Sequence, residues 1–301
     1  MAVVVGVGTS NVPRPPGSSP LQPTAASASA TTAVIKRAVI TRQTITRTLG
    51  AVAERFAPLL RDQRAALIGL LTDLPAERWK LPTVCTGWDV KDVAGHLVEN
   101  ELLFGRLYRG EIDDLSADNE EGVERWRKVD PETVRYSLWH HGQAAQRVID
   151  SRPDASWART VSHFGLPMEL RRALVMQFFE LAVHSHDISS ALGVPPIWDD
   201  RTGPLVEYFF SLAPLALALT PAGSAIEITV DGIGTTTLDG TSGEWLLGDA
   251  SDPATTWHTD AETLILVTTG RRPIAEAIAA TKVEGHAALL ESVLADWQLA
   301  R

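Results

Sequence analysis

Apolar residues recur every three to four positions through Phe56, Leu59, Leu60, Leu67, Leu70 and Leu71, which predicts an amphipathic helix from Ala53 to Leu71 with one buried face. Pro75 and an irregular stretch from Trp79 to Trp88 follow. Asp89 is placed to cap a second helix, running from Val90 to about Tyr108 with Val93, Leu97 and Leu102 inward. An acidic loop, Glu111 to Glu124, leads to a third helix. Pro131 and Glu132 suit its first turn, and its core face runs through Tyr136, Leu138, Ala144 and Val148. The fourth extends from about Met168 to Leu192 and stops at Gly193, ahead of Pro195 and Pro196. A shorter helix is expected from Leu205 to Leu219.

Beyond Pro221 the period changes to two. Ala225–Val230 and Thr235–Leu238 read as strands joined by the turn signal Asp231-Gly232. Glu244–Leu247 and Thr255–His258 are candidate third and fourth strands, and helices are expected over Asp260–Thr269, Pro273–Ala280 and Gly285–Leu299. The predicted fold is therefore mixed: an N-terminal four-helix bundle over 49–221 and a small α+β domain over 222–301.

Residues 1–48 break this patterning. They are rich in Ser, Thr, Ala and Pro and contain five basic residues but no acid before Glu54. Too little apolar surface is present to order such a segment. It reads as a disordered low-complexity tail or an over-extended start rather than the organellar transit peptide its Ser/Arg bias resembles. Removing those five leaves 22 basic against 37 acidic residues in the body, which offers no positive field to phosphates and argues against a nucleic-acid partner. No apolar run reaches the roughly 18–20 residues that span a bilayer, so a cytoplasmic protein without a membrane partner is expected. Cys85 is the single cysteine. An intrachain disulfide and a thiolate-rich zinc site are both excluded.

The chemistry lies in the fourth helix. Glu180, His184 and Asp187 are spaced four and three apart and share one face of an otherwise apolar helix. Such a stripe is costly to bury unless something pairs with it, and a carboxylate with an imidazole one turn away makes good ligands for a divalent metal. A third ligand should come from a facing helix. His96, in Val93-Ala-Gly-His-Leu97, is the best candidate, with Gly95 permitting close helix approach. Asp187 and Glu99 are candidates for supporting a ligand from behind, each against a plain surface role. The spacings match di-iron carboxylate bundles poorly. Two imidazoles and one carboxylate favour Zn²⁺, with Ni²⁺ or Fe²⁺ as alternatives. Cys85 reads as a buried structural cysteine and Trp88 as the anchor of its loop. His186 points away from the stripe, and His140 and His141 read as exposed. Arg271, after Gly270, is a candidate bidentate clamp for a substrate carboxylate.

The segment Leu81-Pro-Thr-Val-Cys-Thr-Gly-Trp-Asp-Val90…His96-Leu97, together with Glu180-x-x-x-His184-x-x-Asp187, resembles the mycothiol-dependent maleylpyruvate isomerase family of DinB-like metal-binding bundles. Thr259–Leu264, Gly270-Arg271 and Val283–Ala287 are similar to that family's sterol-carrier-like C-terminal domain. The resemblance covers about residues 50–301. It implies His96, Glu180 and His184 as zinc ligands and mycothiol as the thiol cofactor. The implied activity is thiol addition to an electrophilic small molecule, as in cis–trans isomerisation of maleylpyruvate. The same chemistry would serve a mycothiol S-transferase in detoxification. A non-catalytic, metal-stapled small-ligand-binding protein is the reading from a different class.

Overall fold

The computed structural model describes residues 52–115, 119–163, 166–197, 202–248, 250 and 252–298, so the tail predicted over 1–48 lies outside the described residues. Contacts divide the chain into two compact units, the first ending at Leu205 and the second beginning at Val206. Among the described residues no helix is long and apolar enough to cross a membrane.

The first unit is built on four long helices. α1 (Val52–Leu71) buries Phe56, Leu60, Leu67 and Leu71. α2 (Val90–Arg109) starts at a reciprocal cap: the Asp89 carboxylate accepts from the Asp92 N–H and the Asp92 carboxylate from the Asp89 N–H. The acidic stretch expected to be a loop contains a further helix, α3 (Asn119–Arg127). It is held by ion pairs one turn apart, Glu121–Arg125 and Glu124–Arg127, and by Val123, which is buried. α4 (Pro131–Ser151) begins at Asp130, whose carboxylate accepts from the Thr133 N–H. α5 (Leu170–Leu192) ends at Gly193 in the left-handed conformation. Helices α1, α5, α2 and α4 touch in that cyclic order, and α4 returns to α1, which is the closed ring of a four-helix bundle.

Where the fourth helix was expected to begin, the chain instead forms an antiparallel hairpin of β1 (Thr160–His163) and β2 (Leu166–Glu169), with Met168 opposite Val161. The preceding loop is stitched to it: Ser162 donates to the Asp113 carbonyl, and its own carbonyl accepts from Leu115.

The division between units falls within α6 (Thr202–Ala216), not after it. Its C-terminal half carries Phe209, Phe210 and Ala213, all buried, and the Phe210 ring lies 5.9 Å from Trp297 of the second unit. That unit contains β3 (Ala225–Val230), β4 (Gly234–Asp239), β5 (Leu246–Gly248), β6 (Thr255–Thr259), α7 (Ala261–Thr268), α8 (Ile274–Ala279), β7 (Lys282–Gly285) and α9 (Ala287–Trp297). The sheet order is β5-β4-β3-β6-β7, antiparallel except for β3 with β6. The predicted hairpin at Asp231-Gly232 is present. Lys282–Gly285, unassigned or placed at a helix start by pattern, is an edge strand on β6.

A buried polar layer crosses the bundle. The Arg64 guanidinium on α1 donates to both carboxylate oxygens of Glu101 on α2, at 2.6 and 3.0 Å, and to Gln146 on α4 at 2.5 Å. Gln177 on α5 donates to Glu101 at 2.8 Å and accepts from the Tyr108 hydroxyl at 2.9 Å. Removing one partner of a buried ion pair typically costs about 3–5 kcal/mol. Glu101→Ala is therefore expected to lower the urea midpoint by a free energy of that size, whereas an exposed pair such as Arg125–Glu121 should cost under about 1 kcal/mol.

Gly95 explains how α3 docks on α2. A Cβ there would lie 2.6 Å from Trp126 Cβ, which cannot swing aside as a flexible chain end would. Gly95→Ala is expected to destabilise, because overpacking of about 1–3 kcal/mol outweighs the ~1 kcal/mol helix preference of Ala over Gly. Gly69, on α1 with nothing within 4 Å of its Cβ position, is the control: Gly69→Ala should raise the melting temperature slightly.

Candidate metal centre

The unpaired stripe anticipated on the fourth helix meets its partner across the α2–α5 contact. His96 Nε2 lies 3.3 Å from Glu180 Oε2, and His184 Nε2 lies 3.5 Å from the same oxygen. The two imidazole rings meet edge to face with centroids 4.8 Å apart. His96 and His184 are buried, and Glu180 keeps 14% of its side-chain surface. The three ligating atoms all lie within 4.8 Å of one another. The structure thus brings together His96, Glu180 and His184.

These separations decide between two descriptions of the cluster. A neutral hydrogen bond between nitrogen and oxygen is centred near 2.9–3.0 Å, and the contacts here are longer. Atoms each 2.0–2.1 Å from a tetrahedral Zn²⁺ stand roughly 3.3–3.4 Å apart, close to the 3.3 and 3.5 Å that separate the two imidazole nitrogens from Glu180 Oε2. Two imidazoles and one carboxylate are also a suitable donor set for zinc. The residues fit a divalent metal.

In the metal-free cluster the electrostatics favour ligation at His96 and oppose it at His184, whose proton a metal would have to displace. Burial lowers the His96 pKa to about 3, so its imidazole is neutral and able to ligate. Burial acts in the same direction on His184, but hydrogen bonds to Asp187, Cys85 and Glu180 overcome it and hold the ring at about 9. Burial would raise the Glu180 carboxyl, yet the His184 and His96 rings set against it keep it well below its ordinary value. When both imidazoles are neutral, as ligation requires, the buried carboxylate is left to be balanced by a cation.

Asp187 Oδ2 accepts from His184 Nδ1 at 2.8 Å and is fully buried. It fixes the ring tautomer so that Nε2 faces Glu180. Glu99 takes no such part. Its carboxylate is occupied by Arg125 at 2.9 and 3.2 Å and by the Trp126 indole N–H at 2.7 Å, so it fastens α3 to α2. Asn100, the next residue and one turn after His96, supplies the polar neighbour instead. Its amide nitrogen is 3.1 Å from His96 Nε2 and 3.3 Å from Glu180 Oε2. Arg271 lies in the second unit, where Nη1 donates to the Thr269 carbonyl at 2.8 Å.

Residues 60–189 match the family model described as the mycothiol maleylpyruvate isomerase N-terminal domain. That match lies within the helical unit. Crystal structures of the mycothiol-dependent maleylpyruvate isomerase and of a histidine-to-alanine variant are similar to the chain at a TM-score of 0.55. They are 14% and 13% identical to it and cover 73% of this chain and 90% of theirs, a likeness of fold. An uncharacterized protein from two strains of Mycobacterium tuberculosis is 26% identical over 151 residues, 46% of this chain. The chain spans 57% of the length of those curated relatives.

Within the helical unit, pattern reading missed Asn100 and His163. The His96-x-x-x-Asn100 spacing, one helical turn, was the available signal for the first. His163 ends β1. Burial lowers its pKa against the pull of the Glu180 and Asp114 carboxylates. A four-residue strand carries little sequence signal of its own.

The ligand set predicts a direct outcome. Wild-type protein should bind about one equivalent of zinc and melt at higher temperature as free zinc rises. His184→Ala should lose both properties while unfolding cooperatively. Full zinc stoichiometry in that variant would remove His184 from the site.

Proposed function

We propose that the protein is a zinc-dependent, mycothiol-using enzyme that activates the thiol for addition to an electrophilic small molecule, as in the cis–trans isomerisation of maleylpyruvate. The observation that carries this reading is the convergence of His96, Glu180 and His184 at metal-ligand spacing inside an isomerase-family domain. Three protein ligands would leave a bound zinc ion room for an outside group, as catalytic rather than structural sites do. The chemistry such an ion supplies is a cofactor thiol held as its thiolate at neutral pH.

The chain's own residues provide what that chemistry needs. His96, Glu180 and His184 would hold the ion, and Asp187 holds the proton on His184 Nδ1. Trp88, buried with its ring 5.2 Å from His96, keeps water from that side. Asn100 and the partly exposed Glu180 mark the polar side of the cluster. Cys85 is no substitute for an external thiol. It is buried, and its thiol is engaged by the Asp187 carboxylate 3.3 Å away.

The test is to incubate zinc-loaded protein with mycothiol and a panel of electrophiles that includes maleylpyruvate. The expected result is catalytic isomerisation without net thiol consumption, lost on chelation and restored by zinc. Stoichiometric loss of thiol into a stable conjugate would assign the protein as an S-transferase. Neither outcome across the panel would overturn the enzymatic reading in favour of a metal-stapled binding protein.

A further inference from the structure

The loop that precedes α2 ends in a four-residue turn, Cys85-Thr86-Gly87-Trp88. It is closed by the Trp88 N–H donating to the Cys85 carbonyl at 2.9 Å. Gly87, at the third position of the turn, has φ +79°, a conformation that favours glycine. The turn is braced on both sides. The Trp88 carbonyl accepts from the Thr83 N–H at 3.0 Å and from the Thr83 hydroxyl at 2.9 Å, and the Cys85 N–H donates to that hydroxyl at 3.2 Å. Its two ends face the two imidazoles of the centre. Trp88 lies against His96. Cys85 Sγ lies 3.3 Å from Asp187 Oδ2, the same oxygen that accepts from His184 Nδ1, and 3.9 Å from that nitrogen.

We propose that this turn positions the metal ligands, and that Cys85 is a positioning residue whose thiol, by donating to Asp187 Oδ2, holds the carboxylate that orients His184. A carboxylate oxygen offers two lone pairs. With one taken by the thiol and one by the imidazole, the Asp187 carboxylate has one stable orientation and His184 one tautomer. Cys85, Asp187 and His184 also form a compact group that by composition resembles a second metal site. The 2.8 Å separation of His184 Nδ1 and Asp187 Oδ2 is that of a hydrogen bond, and His184 already directs Nε2 to Glu180. A supporting role is therefore the one the distances assign.

This inference rests on the reading of His96, Glu180 and His184 as a metal site. The experiment is zinc affinity by chelator competition, with the visible spectrum of the cobalt-substituted protein, for wild type, Cys85→Ala, Cys85→Ser, Asp187→Asn and the double variant Cys85→Ala/Asp187→Asn. Loss of a group that orients a ligand typically weakens metal binding by about 10–100-fold. Cys85→Ala is expected to lose at least about tenfold and to shift the cobalt bands. Cys85→Ser, which keeps a donor, should recover most of the affinity. The double variant should bind no more weakly than Asp187→Asn alone, because Cys85 acts only through Asp187. If Cys85→Ala folds poorly, the rescue by serine and the Asp187→Asn variant still decide the matter.

Unchanged affinity in Cys85→Ala would overturn the inference, as would serine behaving like alanine, or additive losses in the double variant. A second zinc equivalent that disappears with Cys85 would overturn it too, by making Cys85 a ligand. Wild-type protein that binds no zinc would remove the metal site itself, and this inference with it.

Discussion

The Arg64–Glu101 pair sets the frame on which the rest of the bundle depends. A guanidinium and a carboxylate that are each nearly inaccessible are tolerable only if every polar atom finds a partner. Here the partners come from all four long helices: Arg64 from α1, Glu101 and Tyr108 from α2, Gln146 from α4 and Gln177 from α5. Sliding any helix by a turn would strand a buried charge. The layer therefore fixes axial register as well as contributing stability, and the metal cluster inherits that register. Gln177 is one turn before Glu180 on α5, and Glu101 follows Asn100 on α2. Fixing Gln177 against Glu101 brings Glu180 level with His96.

The sequence reading reached the residues of this cluster because they broke a strong pattern. Glu180, His184 and Asp187 are polar positions on a helix that is otherwise buried, so their spacing was informative without knowledge of the fold. His96 was legible for the same reason, as an imidazole among Val93, Leu97 and a small Gly95. The Arg64 layer escaped notice for the opposite reason. Arg64, Glu101 and Gln146 stand on amphipathic helices, where a polar residue is the expected occupant of the solvent face, and one-dimensional pattern cannot tell a polar residue that faces inward. Glu99 and Asn100 show the resolution limit. They are adjacent residues on one helix, and only packing decides that α3 claims the first while the centre claims the second.

The elements that pattern missed are those whose stability is not local. α3 is nine residues long, rich in charge, and held by Val123, Trp126 and ion pairs to its neighbours. Helices that short are marginal in isolation, so their existence depends on docking. β1 and β2 are four residues each and owe their pairing partly to the Asp113–Leu115 segment laid beside Ser162. β7 is a mostly exposed edge strand whose side chains carry little burial signal, and it exists because β6 offers an open edge. In each case tertiary contact overrides a weak local preference.

Two polar layers thus lie about a turn apart in one bundle, and their difference is the strongest physical argument for function. In the Arg64 layer the contacts are 2.5–3.0 Å, opposite charges are matched, and the protein supplies every partner. In the His96–Glu180–His184 layer three groups crowd one carboxylate oxygen at 3.3–3.5 Å, too long for good hydrogen bonds. A fold able to build the first layer has no physical difficulty building a second one equally tight. The looser spacing and the neutral His96 held against a buried carboxylate are costs to a purely structural bundle. They become consistent once the layer is read as a ligand shell, tensioned from behind by Asp187 and Cys85 and set to the radius of a divalent ion rather than to that of a proton.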